Sequence, residues 1–165
     1  MQTHATLLFF KEMNMSSEPK LGDYLCFAVY SANLAFGKAY KPILERLGLT
    51  YTQYITVVAL WEHNEQTVGQ LGDKLFLESN TLTPILKKLA SLGYVTRQRD
   101  PLDERQVLVR LTAEGLRLRE RLADQSLYDA CGMSEADFAA VRGQVVRVRD
   151  NLVQSMLPYD ASVSP

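Results

Sequence analysis

The chain lacks any apolar run approaching the ~20 residues that a membrane-spanning helix needs. The opening ATLLFF has no basic stretch before it and no A-x-A pattern after it, so a secretory leader is not expected. Histidine and cysteine are scarce. There are two of each (His4, His63, Cys26 and Cys131) and no C-x-x-C. A structural zinc site wants four clustered ligands, so no metal is expected, and no other cofactor either. Charge of one sign is also missing. The formal net charge is −1, so a nucleic-acid partner would need a local basic patch. There is no internal repeat and no low-complexity block. The expected setting is the cytoplasm, where two distant cysteines are either bystanders or a transient redox pair. What is present is 47% hydrophobic residues over 165 positions, enough for one ordinary core.

Residues 1–20 show no clear period and read as a loosely ordered arm. From Gly22 to Tyr40 apolar residues recur at helical spacing, through Leu25, Val29, Ala32 and Phe36. Pro42 should end or kink that segment, because it has no backbone donor. Thr50 with Gln53, and Thr67 with Gln70, spell capping boxes for YTQYITVVALWEH and VGQLGDKLF. A further helix, SNTLTPILKKLASLG, places its proline in the first turn and stops at Gly93. The period then changes to two. YVTRQR and QVLVRL read as strands flanking a turn-forming tip, DPLDER. Thr112 opens the long helix AEGLRLRERLADQSLYDA, and a last helix runs from about Ser134 to Leu157, before Pro158.

The predicted fold is mainly α with a small β-hairpin wing. It is a winged helix-turn-helix with long N- and C-terminal dimerisation helices. Within a single domain over 21–157, the winged unit covers about 52–111, and 21–47 and 112–157 form the long helices. Residues 158–165 are a tail. The long helices either complete one core or pack against a second copy. The second is favoured, because two-fold DNA sites pair with two-fold proteins.

The helix SNTLTP offers hydroxyls of Ser79, Thr81 and Thr83 and the amide of Asn80 in its first turn, with Lys87 and Lys88 a turn later. Such groups reach base edges or phosphates from a helix in the major groove, or simply cap the helix. Between Ser79 and Arg110 the basic residues are Lys87, Lys88, Arg97, Arg99, Arg105 and Arg110, against Asp100, Asp103 and Glu104. Arg105 at the hairpin tip can enter a minor groove, held in place by Asp103. In the stretch DYLCFAVYSA, Cys26 is either buried filler or a reactive thiol. Its place near a helix start favours a thiolate, whereas apolar neighbours, if packed on it, oppose one.

The segment ESNTLTPILKKLASLGYVTRQRDPLDERQVLVRLTAEG resembles the multiple-antibiotic-resistance regulator (MarR) family, and SNTLTPILKKL is similar to its organic hydroperoxide resistance regulators. The resemblance covers about residues 20–157. It implies a homodimeric repressor, not an enzyme, on a palindromic double-stranded DNA operator. It also implies a peroxide-reactive cysteine at Cys26, hydrogen-bonded by Tyr40 and Tyr51. Cys131 falls where the two-cysteine branch carries a resolving cysteine. Organic hydroperoxide is then the signal, and a cellular thiol the reductant. Tyr40 lies fourteen residues beyond Cys26, about 21 Å along a continuous helix, so a bond between them implies the other subunit. The competing readings are a MarR-type repressor released by a small aromatic ligand, with Cys26 a bystander, a thiol peroxidase, or an architectural DNA-binding dimer that answers no signal.

Overall fold

The computed structural model describes residues 19–122 and 130–156. After a short 3-10 turn at Leu21–Asp23, its elements are α1 (Leu25–Glu45), α2 (Tyr51–Glu62), β1 (Glu65–Thr67), α3 (Val68–Leu75) and α4 (Ser79–Ser91). They continue with β2 (Val95–Arg99), β3 (Val107–Leu111), α5 (Ala113–Leu122) and α6 (Glu135–Met156). The chain divides into two compact units, one ending at Leu116 and the other starting at Arg117. The N-terminal arm before residue 19, the end of the helix expected after Thr112, and the segment from Leu157 onward lie outside the described residues.

Local sequence rules build the first unit. Gln53 N donates to Thr50 Oγ1 at 3.3 Å, and Thr50 N donates to Gln53 Oε1 at 2.9 Å. The Thr67–Gln70 box closes in the same way, at 3.1 and 2.8 Å. Each box satisfies backbone donors that a helix start otherwise leaves open. At the end of α4, Gly93 takes φ +77°, its N–H donates to Ala90 O, and Tyr94 N donates to Leu89 O. That pair of bonds is a Schellman stop, as the glycine's position leads one to expect.

The wing is a three-stranded antiparallel sheet in the order β1-β3-β2. Val95 pairs with Leu111 and Arg99 with Val107, while Glu65 pairs with Arg110 on the other edge. The hairpin was legible from its period, but β1 was not. Three residues are too short to show alternation, and β1 is fixed by long-range pairing with β3.

The core of this unit is carried by Leu44, Val57, Leu60, Leu71, Leu82, Leu86, Leu89 and Val109, all essentially inaccessible. Leu82, Leu86 and Leu89 follow the i, i+4, i+7 spacing of one α4 face. Tyr94 adds a buried tie, its hydroxyl donating to Leu47 O at 3.0 Å.

Two prolines sit differently from expectation. Pro42 does not end α1, which runs on to Glu45. A proline removes one donor, but Leu44 is 1% exposed and anchors the last turn beyond it. Pro84 lies in the second turn of α4, because the helix starts at Ser79 with Glu78 as N-cap. The 3-10 turn before α1 is closed by Lys20 N donating to Asp23 Oδ2 at 2.8 Å.

In the second unit, Asp137 N donates to Ser134 Oγ at 3.2 Å and the serine hydroxyl donates to Asp137 Oδ2 at 2.6 Å. This is the expected start of α6. No residue of that 22-residue helix is buried.

Candidate DNA-reading and thiol sites

The hydroxyls and amide singled out at the head of α4 are displayed rather than used as caps. Glu78 is the N-cap and makes no side-chain cap bond. Ser79, Asn80 and Thr81 are exposed, and Thr83 is half-buried. Thr81 Oγ1 donates to Asn80 Oδ1 at 3.2 Å, and Thr83 Oγ1 donates back to Ser79 O at 2.7 Å. Those bonds fix side-chain direction while leaving acceptor lone pairs outward. Lys87 and Lys88 follow on the same helix, both exposed. The opposite stripe, through Leu82, Leu86 and Leu89, is fully buried. The helix therefore presents a polar face from a rigid mount.

The wing tip is held by its acidic residues. Leu102 N donates to Asp100 Oδ1 at 2.8 Å, and Gln106 N donates to Asp103 O at 2.9 Å. Asp103 Oδ1 accepts from both Arg105 N (3.1 Å) and Arg105 Nε (3.0 Å), and its Oδ2 accepts from Gln106 Nε2 (3.1 Å). The Arg105 side chain stays 91% exposed. The pairing expected from spacing is present, and it aims the guanidinium without covering it. Hydrogen bonds from the Arg105 side chain, then Gln106, then the Arg105 backbone hold the Asp103 carboxyl below its ordinary value. Arg99 donates to Glu104 O at 2.9 Å, bracing the hairpin from within.

Not every basic residue of this region faces outward free of a partner. Arg110 is bound to Glu65 across the β1–β3 pair. Arg97 is half-buried on the same strand face as Val95, and its Nε is buried without a hydrogen-bond partner. A buried, unsatisfied donor is costly, so this nitrogen invites an acceptor.

At the other candidate site, Cys26 is the second residue of α1 and is exposed. Its neighbours Leu25 and Val29 are 61% and 40% exposed, so the apolar surface beside the thiol is uncovered. The filler reading of Cys26 fails for the isolated chain. Cys131 is a free, partly covered thiol in the turn before α6, next to Gly132 with φ +63°. It belongs to the second unit and Cys26 to the first.

Tyr40 and Tyr51 come together. Their ring centroids are 5.3 Å apart, and Tyr54 stands 5.3 Å from Tyr40 and 6.4 Å from Tyr51. Burial, and then the neighbouring Tyr54, raises the Tyr51 pKa above its ordinary value. Each such ring pair stabilises by about 0.5–1.5 kcal/mol beyond its buried area. Within one chain these rings do not meet Cys26. Helix α1 is continuous over both, so Cys26 and Tyr40 are separated by about 21 Å along its axis.

Comparison with known proteins decides the affiliation. Residues 38–122 match the transcriptional regulator SarA/Rot family. The chain is 43% identical over 111 residues to the organic hydroperoxide resistance transcriptional regulator of Bacillus subtilis, spanning 67% of this chain and 76% of that one. It belongs to the MarR/SarA-type winged-helix transcriptional regulators.

Two solved structures of one relative add detail. Reduced AbfR bound to DNA shares 33% identity at TM-score 0.67, covering 80% of this chain and 93% of that one. Disulfide-formed AbfR shares 29% identity at TM-score 0.57, covering 94% and 99%. AbfR is a protein of Staphylococcus epidermidis. This regulator is thus a winged-helix protein of the predicted class, mainly helical with a small antiparallel sheet. No helix among its described residues is long and apolar enough to cross a membrane. Sequence reasoning passed over Tyr54 and Trp61. The i, i+3 spacing of Tyr51 and Tyr54 was the signal, since such residues share a helix face.

Proposed function

We propose that this regulator is a redox-sensing repressor. Reduced, it binds a palindromic operator as a homodimer. It releases the DNA when an organic hydroperoxide oxidises Cys26. The observation that carries the reading is the layout of α1. An exposed thiol stands at one end beside bare leucine and valine, and a tyrosine pair stands about 21 Å away at the other. A second copy of the chain, with α1 running antiparallel, brings the partner's Tyr40 and Tyr51 to each Cys26. The names of the relatives fit this reading, since one is a hydroperoxide resistance regulator and another was solved both reduced on DNA and as a disulfide.

The chemistry balances without a cofactor. The Cys26 thiolate attacks the terminal oxygen of the hydroperoxide. The S–O bond forms as the O–O bond breaks, and the alkoxide leaves and takes a proton as the alcohol. Sulfur loses two electrons and becomes a sulfenic acid. The Cys131 thiol, from the partner subunit, then attacks that sulfur, forming the disulfide and releasing water. A cellular thiol pair reverses the change by exchange. A disulfide requires Cα atoms within about 7 Å, so its formation constrains the helices that carry the two cysteines. That constraint shifts the two DNA-reading faces out of operator register.

On DNA, Ser79, Asn80, Thr81 and Thr83 read the major groove from the head of α4, with Lys87 and Lys88 on phosphates. Arg105, aimed by Asp103, enters the minor groove. Arg97 adds its positive charge to the same region. Cys26→Ser tests the switch. The variant should shift operator DNA as the wild type does and keep it bound after hydroperoxide. Release of DNA by the oxidised variant would remove Cys26 from the mechanism.

A further inference from the structure

The sensing reading uses Tyr40 and Tyr51 but leaves their mounting unexplained. Tyr40 sits near the end of α1 and Tyr51 at the start of α2, on either side of a turn. Two phenols on separate helices keep a common aim only if something fixes both. Tyr54 touches both rings, at 5.3 Å and 6.4 Å. On its far side it meets Trp61 edge-on, with centroids 6.4 Å apart and planes at 72°.

Trp61 is itself fixed. Its indole N–H donates to Gly115 O at 3.0 Å, across 54 residues of sequence. Gly115 is packed close against the foot of the wing, since a Cβ there would lie 2.1 Å from Tyr94 O. Tyr94 and Thr112 are joined at the foot of the wing, where Thr112 N donates to Tyr94 O at 3.0 Å and Thr112 Oγ1 donates to Gly93 O at 2.6 Å. The aromatic file from Tyr40 thus ends on the backbone that leads into and out of the hairpin.

We propose that Tyr54 is a positioning residue for the thiol reaction. Its ring sets the Tyr40 and Tyr51 hydroxyls for Cys26 of the partner subunit and, through Trp61, references them to the foot of the wing. The ring does this by packing, so the Tyr54 hydroxyl is dispensable. The inference rests on the sensing reading and adds to it the residue that tunes how fast the thiol reacts.

The test uses the full-length reduced protein, cumene hydroperoxide as oxidant, and mass-spectrometric loss of the Cys26 thiol as the rate. Tyr54→Leu should slow that loss on the order of tenfold to a hundredfold, the penalty of misplacing a group near a reacting centre, while binding operator DNA as before. Tyr54→Phe should react at the wild-type rate. The emission of Trp61, the chain's single tryptophan, should shift in Tyr54→Leu and stay in place in Tyr54→Phe. Wild-type speed in Tyr54→Leu, or equal slowing in Tyr54→Phe, overturns the inference and leaves the sensing reading intact. A wild-type Cys26 that never reacts overturns the sensing reading itself. If Tyr54→Leu does not fold, Tyr54→Met, flexible and without a ring, replaces it under the same criteria.

Discussion

Helix α4 and helix α6 carry opposite solutions to the same problem. The 13-residue α4 buries Leu82, Leu86 and Leu89 completely within its own chain and exposes Pro84 together with polar and basic groups. The 22-residue α6 buries nothing and leaves Val141, Val145, Val146, Leu152 and Met156 open to solvent. Helix α1 sides with α6, since only Leu44 of its 21 residues is buried and Leu25, Val29, Tyr30 and Leu34 stay exposed. The winged region therefore buries its own core, whereas among the described residues α1 and α6 leave apolar side chains exposed. In the proposed function, a second copy of the chain covers them.

Substitutions can break this contrast or sharpen it. Leu86→Ala strikes the self-sufficient side, removing a fully buried side chain, and should cost about 2–5 kcal/mol in urea unfolding. Arg105→Ala leaves the fold alone and removes the exposed guanidinium of the wing tip. Operator affinity measured at physiological salt should fall by about 1–3 kcal/mol. Val145→Lys strikes the other side. It should leave the unfolding of the winged region unchanged and shift the protein toward monomer in sedimentation velocity. Thr50→Ala removes one half of a capping box and should lower stability by about 1 kcal/mol, read by thermal unfolding.

The smallest effect is one of pH. The folded Asp103 carboxyl titrates below its ordinary 3.8, so its pairing with Arg105 is fully present above that value. It is lost as pH falls through the lowered folded value. A carboxyl carbon-13 titration should show the Asp103 midpoint below that of the same residue in the unfolded chain. A midpoint at or above 3.8 would mean that Asp103 does not hold Arg105 in solution.

The local grammar of the fold was legible because it is local. Thr50 with Gln53, Thr67 with Gln70, Ser134 with Asp137, and Gly93 each announce a helix boundary through atoms within three or four residues. What escaped depends on distant partners. The β1 strand exists because β3 lies beside it, and Arg110 loses its place among the outward basic groups because Glu65 reaches it. Pro42 was expected to end or kink the helix from its missing donor alone, whereas α1 runs past it to Glu45, with Leu44 buried beyond it. At the head of α4 the sequence left two readings open, polar groups displayed to DNA or a hydroxyl cap, and the chain enters the helix one residue earlier, at Glu78. Tyr40 and Tyr51 were paired by resemblance, and their rings do meet, but Tyr54 between them required coordinates.

The most direct measurement is a gel shift of the purified wild-type protein on DNA from upstream of its own gene. The lanes are reduced protein, protein with stoichiometric cumene hydroperoxide, and the same sample after dithiothreitol. The account predicts a shifted band that is lost on oxidation and returns on reduction. A band that persists unchanged through the oxidant would contradict it, leaving a winged-helix regulator whose exposed Cys26 is not its switch.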